Sequence, residues 1–384
     1  MQNFSYYNPV KILFGKNTIG SLSRVIPGNV KLMLVYGGGS IKKNGVYDQV
    51  VQALSGREWL EFSGIEPNPE YETCKKAVDL VKSETVGFIL AVGGGSVIDA
   101  AKFIAASSMI GESDPWRIMT GECPVKEALP LGVILTLPGT GSEMNAGAVI
   151  SRRAVNEKRY FTSPKVFPLF SILDPETTFS LPKTQTANGI LDAYVHVLEQ
   201  YLTYPDNAPL QDRQSESILL TLMETAGVLL KNPRDYPARA TIMWCATNAL
   251  NGLISCGVPQ DWATHMIGHE LTIGFGLDHA ASLAVILPAL LRHQQSAKEA
   301  KLIQYGKRVM KRQGETPAAI ASQAIDGTEA FFKSLGHKTR LSEWGITLKQ
   351  TGHIPEKLCR SGMKYGEKGQ IGPGEIEEIL FLAQ

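Results

Sequence analysis

The sequence has no run of about eighteen apolar residues, so it offers no segment that reads as a membrane-spanning helix. Its start, MQNFSYYNPVKILFG, has no basic stretch followed by an apolar one and does not read as a secretory signal, so a cytoplasmic protein is expected. Charge of either sign is not in excess: 38 Lys and Arg face 37 Asp and Glu, a net +1, which leaves no electrostatic reason to expect nucleic acid. Small molecules are the expected partners, with no membrane. The five cysteines, Cys74, Cys123, Cys245, Cys256 and Cys359, are odd in number and lack metal-type spacing. They fit a reducing compartment rather than a disulfide framework. There is no internal repeat and no low-complexity stretch.

What is present changes texture once along 384 residues, a length sufficient for two cores. Up to about Leu181, short apolar runs (KILFG, KLMLVYG, LEFSG, VGFILAVGG, GVILTLPG) alternate with amphipathic segments. Strand and helix in turn imply a mostly parallel sheet with helices on its faces. Prolines then cluster at Pro164, Pro168, Pro175 and Pro182, and the pattern beyond them is helical, as in SESILLTLMETAGVLL. The expected fold class is an α/β domain, residues 1–180, followed by an all-α domain, residues 181–384.

The helical half carries the densest chemistry. Asp192 and His196 are four apart in DAYVHVLEQ, and His265 and His269 repeat that interval in HMIGHELTIGFGLDH. Residues four apart share a helix face, and each pair lies in an apolar periodic stretch without an interior proline. His279 follows the Gly274 and Gly276 break, where a loop can fold it back. A single histidine on an apolar face is ordinarily a hydrogen-bonded core residue. Here four of the seven histidines fall in two such segments, beside a carboxylate that would be costly to bury without a cation or partner. Nitrogen ligands with one oxygen suit zinc or ferrous iron and not calcium or magnesium; spacing alone does not choose between the two metals or among the histidines. Cys256, Trp244, Ile254, Trp262 and Phe275 are candidates for a pocket lining, although at helical spacing such residues are more often core.

The α/β half carries two glycine clusters, each after an apolar run and before a helical one. In AVGGGSVIDAAKFIAA, Gly93, Gly94 and Gly95 permit close backbone approach and Ser96 suits the start of a helix, so exposed amides and the helix dipole make a site for a pyrophosphate. This is not GxGxxG, and glycines at such a turn are also routine punctuation. The loop LTLPGTGSEMNAG adds Thr136, Thr140, Ser142 and Asn145 as hydrogen-bonding groups. The first cluster, Gly37, Gly38, Gly39 and Ser40, ends a strand where an adenosine ribose can rest. It contains no acidic residue to accept bonds from both ribose hydroxyls, and Lys42 and Lys43 follow, so NADP(H) is preferred over NAD(H).

The order GGGS at 37–40, IEPNP at 65–69, GGGSVIDAAK at 93–102, TLPGTGSEMNAG at 136–147, then DAYVH, HMIGHEL and GLDH, resembles the iron-dependent alcohol dehydrogenases over essentially the whole chain. More narrowly it resembles their bacterial NADPH-dependent aldehyde reductase and butanol dehydrogenase branch. The resemblance implies that the α/β part, residues 1–180, is a Rossmann-like dinucleotide-binding domain and the all-α part, residues 181–384, a metal-binding domain, with a cleft between them and a homodimer. By position it implies Asp192, His196, His265 and His279 as metal ligands, with His269 near the nicotinamide. It implies Gly38 and Ser40 at the 2′-phosphate end, Asn68 in the PNP turn, Gly95 and Ser96 at the pyrophosphate and Asp99 one turn further. Thr136, Thr140 and Asn145 would border the nicotinamide ribose, toward which Lys158 would point. Thr177 and Thr178 depart from the aromatic residue that related members can carry near the cofactor.

The expected chemistry is hydride transfer between NADPH and a short-to-medium aldehyde polarised by a divalent metal, Fe2+ or Zn2+, with His269 or a water relay through the ribose hydroxyls as the proton source for the product oxygen. Glycerol-type polyol dehydrogenases are the nearest alternative. A lyase of the dehydroquinate synthase kind should need a basic pocket, and CGVPQDWATHMIGHELTIGFG is poor in Lys and Arg. A sensor of metal or nucleotide would bind NADPH without consuming it.

Overall fold

The computed structural model describes residues 1–111, 113–314 and 316–384. They form two compact units, one of Tyr7–Pro182 with Asn232–Asn251, the other of Met1–Tyr6, Lys183–Lys231 and Gly252–Gln384.

The first unit is α/β. Its strands are β1 (Lys11–Phe14), β2 (Leu32–Tyr36), β3 (Trp59–Phe62), β4 (Phe88–Gly94), β5 (Leu131–Leu137), β6 (Gly147–Arg152), β7 (Glu157–Thr162) and β8 (Phe170–Leu173). Six of them make a parallel sheet in the order β1-β8-β5-β4-β2-β3. The LMLVY run of β2 is buried on both faces, as a strand inside such a sheet must be. Its side chains alternate between two cores. Leu32, Leu34 and Tyr36 join Val46 and Val50, whereas Met33 and Val35 join Ile98, Ala101 and Phe103 of the Gly95–Ser107 helix.

Strand order reverses between β2 and β4: from β2 the chain moves out to β3, then returns to β4 and continues the other way. Ligands of open α/β sheets bind outside the carboxyl ends of the strands at such a switch point. Both glycine clusters follow those two strands. Topology and glycine placement therefore point to the same edge of the sheet.

Two features were not anticipated from sequence. The run FSIL, between Pro168 and Pro175, is not among the apolar runs picked out above, yet as β8 it is wholly buried between β1 and β5. Both prolines fall outside the strand, where a missing amide costs no ladder hydrogen bond. Strands β6 and β7 form an antiparallel hairpin apart from the main sheet. The Tyr236–Ala249 helix also packs in this unit, where Thr247 Oγ1 donates to Glu143 Oε1 at 2.6 Å.

The second unit is helical. Its main elements are the helices Lys183–Tyr201, Pro209–Lys231, Ala263–Phe275, His279–His293, Glu299–Arg308, Pro317–Ser334 and Pro373–Leu382. The His279–His293 helix, with the sequence AASLAVILPALL inside it, is apolar around its whole circumference and is buried from Ala280 to Leu291. Such a helix belongs at the centre of a bundle. A buried hydroxyl chain joins three other helices, Tyr194 Oη to Tyr305 Oη at 2.6 Å and Tyr305 Oη to Thr328 Oγ1 at 2.8 Å. No described helix is long and apolar enough to cross a membrane. An α/β domain with a parallel sheet and a helical domain are thus both present, as the sequence pattern implies.

Candidate functional site

The Lys183–Tyr201 and Ala263–Phe275 helices bring the two i, i+4 pairs to one place. The second helix ends at Gly276, whose φ of +70° admits a left-handed turn that few other residues tolerate. The chain reverses there, and His279, the first residue of the next helix, returns beside His265 with ring centroids 5.2 Å apart. Asp192 Oδ1 is the focus. It lies 3.6 Å from His196 Nε2, 3.8 Å from His265 Nε2 and 3.6 Å from His279 Nε2. Ligand atoms of Asp192, His265 and His279 all fall within 4.8 Å of one another. The His196 and His265 rings stack at 4.7 Å with a 14° tilt, and Trp262 packs edge-on against both.

These groups fit a divalent cation on two observations. Asp192 Oδ1 and His265 Nε2 are buried and have no hydrogen-bond partner, an expensive arrangement unless a cation fills it. The donor set of one carboxylate and three imidazoles is that of a zinc or ferrous site. Electrostatics agree in sign. Burial pushes the His265 ring toward the neutral form, but Glu199 and Asp192 outweigh it and raise its pKa to about 9. Burial would raise Asp192, yet His196, His265 and His279 hold its carboxyl well below the usual range. The carboxylates that draw a proton to the His265 ring would draw a metal cation as well.

Glu199 was missed as a participant, although it stands in the same DAYVHVLEQ run. Its carboxylate contacts His265 Nδ1, and its Oε1 accepts the His265 amide at 3.3 Å. The signal was its place three residues after His196 and seven after Asp192, which puts it on their face of the helix. His269 sits one turn beyond His265, its ring 6.3 Å from that of His265 and 5.6 Å from that of His279. Of the pocket candidates in this unit, Ile254 and Cys256 are buried, and the Cys256 thiol donates to Gly252 O at 3.3 Å.

In the α/β unit the Gly95–Ser107 helix starts at the end of β4. A Cβ on Gly94 would lie 2.9 Å from Leu137 Cβ, and one on Gly95 would overlap the Thr140 side chain. These close approaches bring the TGSEMNAG loop onto the helix start. Asn68, at a φ of +57°, donates its amide to Ser96 Oγ at 3.3 Å, and Lys158 Nζ donates to Asn68 Oδ1 at 2.8 Å. Lys158 stands in the polar stretch NEKRY but is buried.

Asp99 and Asn145 are engaged within the loop's own scaffold. Asp99 accepts from Ser142 Oγ at 2.6 Å and from the Val149 amide at 2.9 Å. Asn145 donates to Gly141 O at 2.9 Å and accepts from the Gly147 amide at 3.0 Å. Between them lies Lys102, fully buried, donating to Ser142 Oγ, Asn145 Oδ1 and Gly147 O at 2.8, 3.0 and 2.8 Å. Burial pushes its pKa down to about 8 against the pull of Asp99 and Glu143. Thr136 is buried, and Thr140 Oγ1 accepts the Ser142 amide at 3.2 Å. Thr177 and Thr178 are buried, each turning its hydroxyl to backbone carbonyls.

At the first cluster Gly38 and Ser40 are exposed, and Gly39 has a φ of +86°. The Gly37 to Ser40 loop has no acid of its own, but the next strand supplies one nearby. Glu61 of β3 pairs with Lys42 at 3.1 Å and accepts from Tyr36 Oη at 2.6 Å. Lys42 also lies 4.6 Å from the centre of the Tyr47 ring.

Known proteins resemble this chain over nearly its whole length. Residues 9–175 match the model of the iron-containing alcohol dehydrogenases, and residues 186–380 match the C-terminal domain of the Fe-containing alcohol dehydrogenase family. The chain is 51% identical to the NADPH-dependent aldehyde reductase YqhD of Escherichia coli over 97% of both chains. It is 42% identical to the probable NADH-dependent butanol dehydrogenase 1 of Bacillus subtilis over 99% of both. The crystal structure of E. coli YqhD superposes with a TM-score of 0.98, covering 100% of this chain and 99% of that one at 49% identity. With a matching parallel-sheet domain, a matching helical domain and such identity over nearly its full length, the chain belongs to the iron-containing alcohol dehydrogenase family.

Proposed function

We propose that this protein is a metal-dependent aldehyde reductase that uses NADPH in preference to NADH and acts on short-to-medium aldehydes. The observation that carries the reading is the single carboxylate oxygen, Asp192 Oδ1, buried without a hydrogen-bond partner and 3.6–3.8 Å from three imidazole nitrogens. Asp192, His196, His265 and His279 would hold one divalent cation, Fe2+ or Zn2+. When bound, that cation supplies a Lewis acid for the aldehyde oxygen, and the reduced nicotinamide supplies the hydride.

The chain's own groups divide the remaining work. The amides at Gly94, Gly95 and Ser96 bind the pyrophosphate at a helix start. Asn68 and Lys158, joined at 2.8 Å, face the ribose. Thr136, Thr140, Asp99 and Asn145 keep the adjoining loop in shape. Gly37, Gly38, Gly39 and Ser40 receive the adenosine end. The NADP preference rests on the lack of an acid within that loop and on Glu61 being paired with Lys42, which leaves less negative charge to repel a 2′-phosphate. The imidazole of His269 carries the proton delivered to the product oxygen. We place the dinucleotide in residues 1–180 and the metal in residues 181–384, and the enzyme in the cytoplasm as a homodimer.

The test is absorbance at 340 nm with metal-replete protein, NADPH or NADH and a panel of short aldehydes, repeated after chelation and with His265→Ala. Chelator-sensitive oxidation favouring NADPH supports the proposal. A better rate with glycerol-like polyols in the reverse direction would favour a polyol dehydrogenase. No oxidation of either cofactor by any aldehyde, with metal bound, would overturn it.

A further inference from the structure

Behind the candidate metal ligands, in the same helical unit, lies a buried charged cluster that coordination does not itself require. The Lys298 side chain is 1% exposed and lies between two carboxylates, each 3% exposed, 3.0 Å from Asp261 Oδ2 and 2.7 Å from Glu367 Oε2. Its ammonium also donates to Leu202 O at 2.8 Å, at the end of the helix that bears Asp192 and His196. Burying three charges is justified only by geometry that uses them, because well-packed apolar residues of the same volume are often at least as stable.

Asp261 shows what the cluster is attached to. Its Oδ1 accepts the Ala263 amide at 2.9 Å, capping the start of the helix that carries His265 and His269. Its own amide donates to Glu199 O at 2.8 Å. The Glu199 carboxylate in turn contacts Nδ1 of His265, which keeps a proton on Nδ1 and turns Nε2, the nitrogen that would hold the metal, toward Asp192. One ammonium thus ties together the ends of the two helices that supply Asp192, His196 and His265. The distances among those ligands depend on how the two ends are held.

We propose that Lys298 is a positioning residue for the metal centre, acting through Asp261 to fix the start of the His265 helix and the Glu199 backbone against it. The inference rests on the reading of Asp192, His196, His265 and His279 as a divalent-metal site. It extends that reading to a residue that touches none of the four.

The experiment loads Co2+ into the metal-stripped protein and records both the dissociation constant and the visible ligand-field bands, which report coordination geometry independently of turnover. Five proteins are compared: the unsubstituted chain, Asp192→Asn, Lys298→Met, Lys298→Arg and Lys301→Met. The last removes another buried cation, paired with Asp212 and 4.9 Å from the centre of the Tyr201 ring, which touches the end of the Asp192 helix without reaching Asp261 or the His265 helix. Lys298→Met is expected to weaken Co2+ binding by about tenfold to a hundredfold, the range for groups that orient ligands, and to shift the bands. Lys301→Met should leave both unchanged, and Lys298→Arg should recover at least part of the affinity. If Lys298→Met does not fold, Asp261→Asn serves in its place, since it keeps a side-chain oxygen for the Ala263 amide while removing the charge partner. The inference fails if the folded Lys298 or Asp261 variant matches the unsubstituted protein in affinity and spectrum, or if Lys301→Met loses as much. Equal Co2+ binding by Asp192→Asn and the unsubstituted chain would instead overturn the metal reading itself.

Discussion

The carboxylate of Glu199 closes on Nδ1 of His265 while Nε2 of the same ring faces Asp192 Oδ1 at 3.8 Å. One ring nitrogen is thereby held by a hydrogen-bonding carboxylate and the other is left as a donor. Replacing Glu199 with Ala removes the group that sets this orientation, and metal affinity is expected to fall about tenfold to a hundredfold. Competition with a chelator of known affinity measures it; an unchanged affinity would mean that packing alone orients the ring.

Metal should stabilise the folded chain. A ligand that binds only the native state contributes about 2.7 kcal/mol at a hundredfold excess over its dissociation constant. Thermal melts with and without Zn2+ should therefore differ for the unsubstituted protein and coincide for Asp192→Asn, which removes the shared anionic ligand.

Gly95→Ala is expected to destabilise the α/β unit by about 1–3 kcal/mol, the usual effect of overpacking, because the added methyl meets the Thr140 side chain. The same displacement moves the loop away from the helix start, so NADPH binding should weaken together with stability. Fluorescence titration of NADPH alongside a denaturant melt separates the two effects. Retention of both would show that Thr140 can give way at no cost.

Glu329 provides a pH-dependent prediction. Arg292, Lys333 and Thr339 reach its carboxylate at 2.6, 2.9 and 2.9 Å, and although burial opposes ionisation they lower its pKa from 4.5 to about 2. A lowered carboxyl contributes stability that is complete above the unfolded value of 4.5 and disappears as the pH falls through about 2. Glu329→Gln should be less stable than the unsubstituted protein near neutrality, and the two should converge as acid is added across that window. Urea melts at several pH values test this, and a constant difference would contradict it.

His269→Ala should lower turnover and change its pH profile while leaving Co2+ affinity nearly intact, if the ring carries a proton and is not a ligand. Unchanged turnover with an unchanged profile would remove it from the mechanism.

The candidate site was legible in sequence to different depths. The intervals between Asp192 and His196 and between His265 and His269 are local, and a helix converts an interval of four into a shared face whatever surrounds it. Glu199 stood in plain view on that face, but nothing local says which partner a buried carboxylate will find; that partner is 66 residues away. Lys298, Asp261 and Glu367 carried no motif at all. In the α/β unit the glycine clusters were visible as punctuation, whereas the Glu61 that answers Lys42 comes from a neighbouring strand.

The amino-acid order alone marked the segments that become β1 to β5 and the helices that carry Asp192 and His265, because hydrophobic periodicity and glycine breaks act over a few residues. It also determined the donor types offered to a metal, since those are properties of the side chains themselves. Only the tertiary structure decided that β8 sits inside the sheet between two prolines, that the Tyr236–Ala249 helix packs with the α/β unit, and that Asp192 Oδ1 faces three histidine nitrogens while Glu199 holds one of those rings from behind. Those outcomes depend on strand order, helix crossing and the compensation of buried charges between residues far apart in the chain, and no local pattern encodes them.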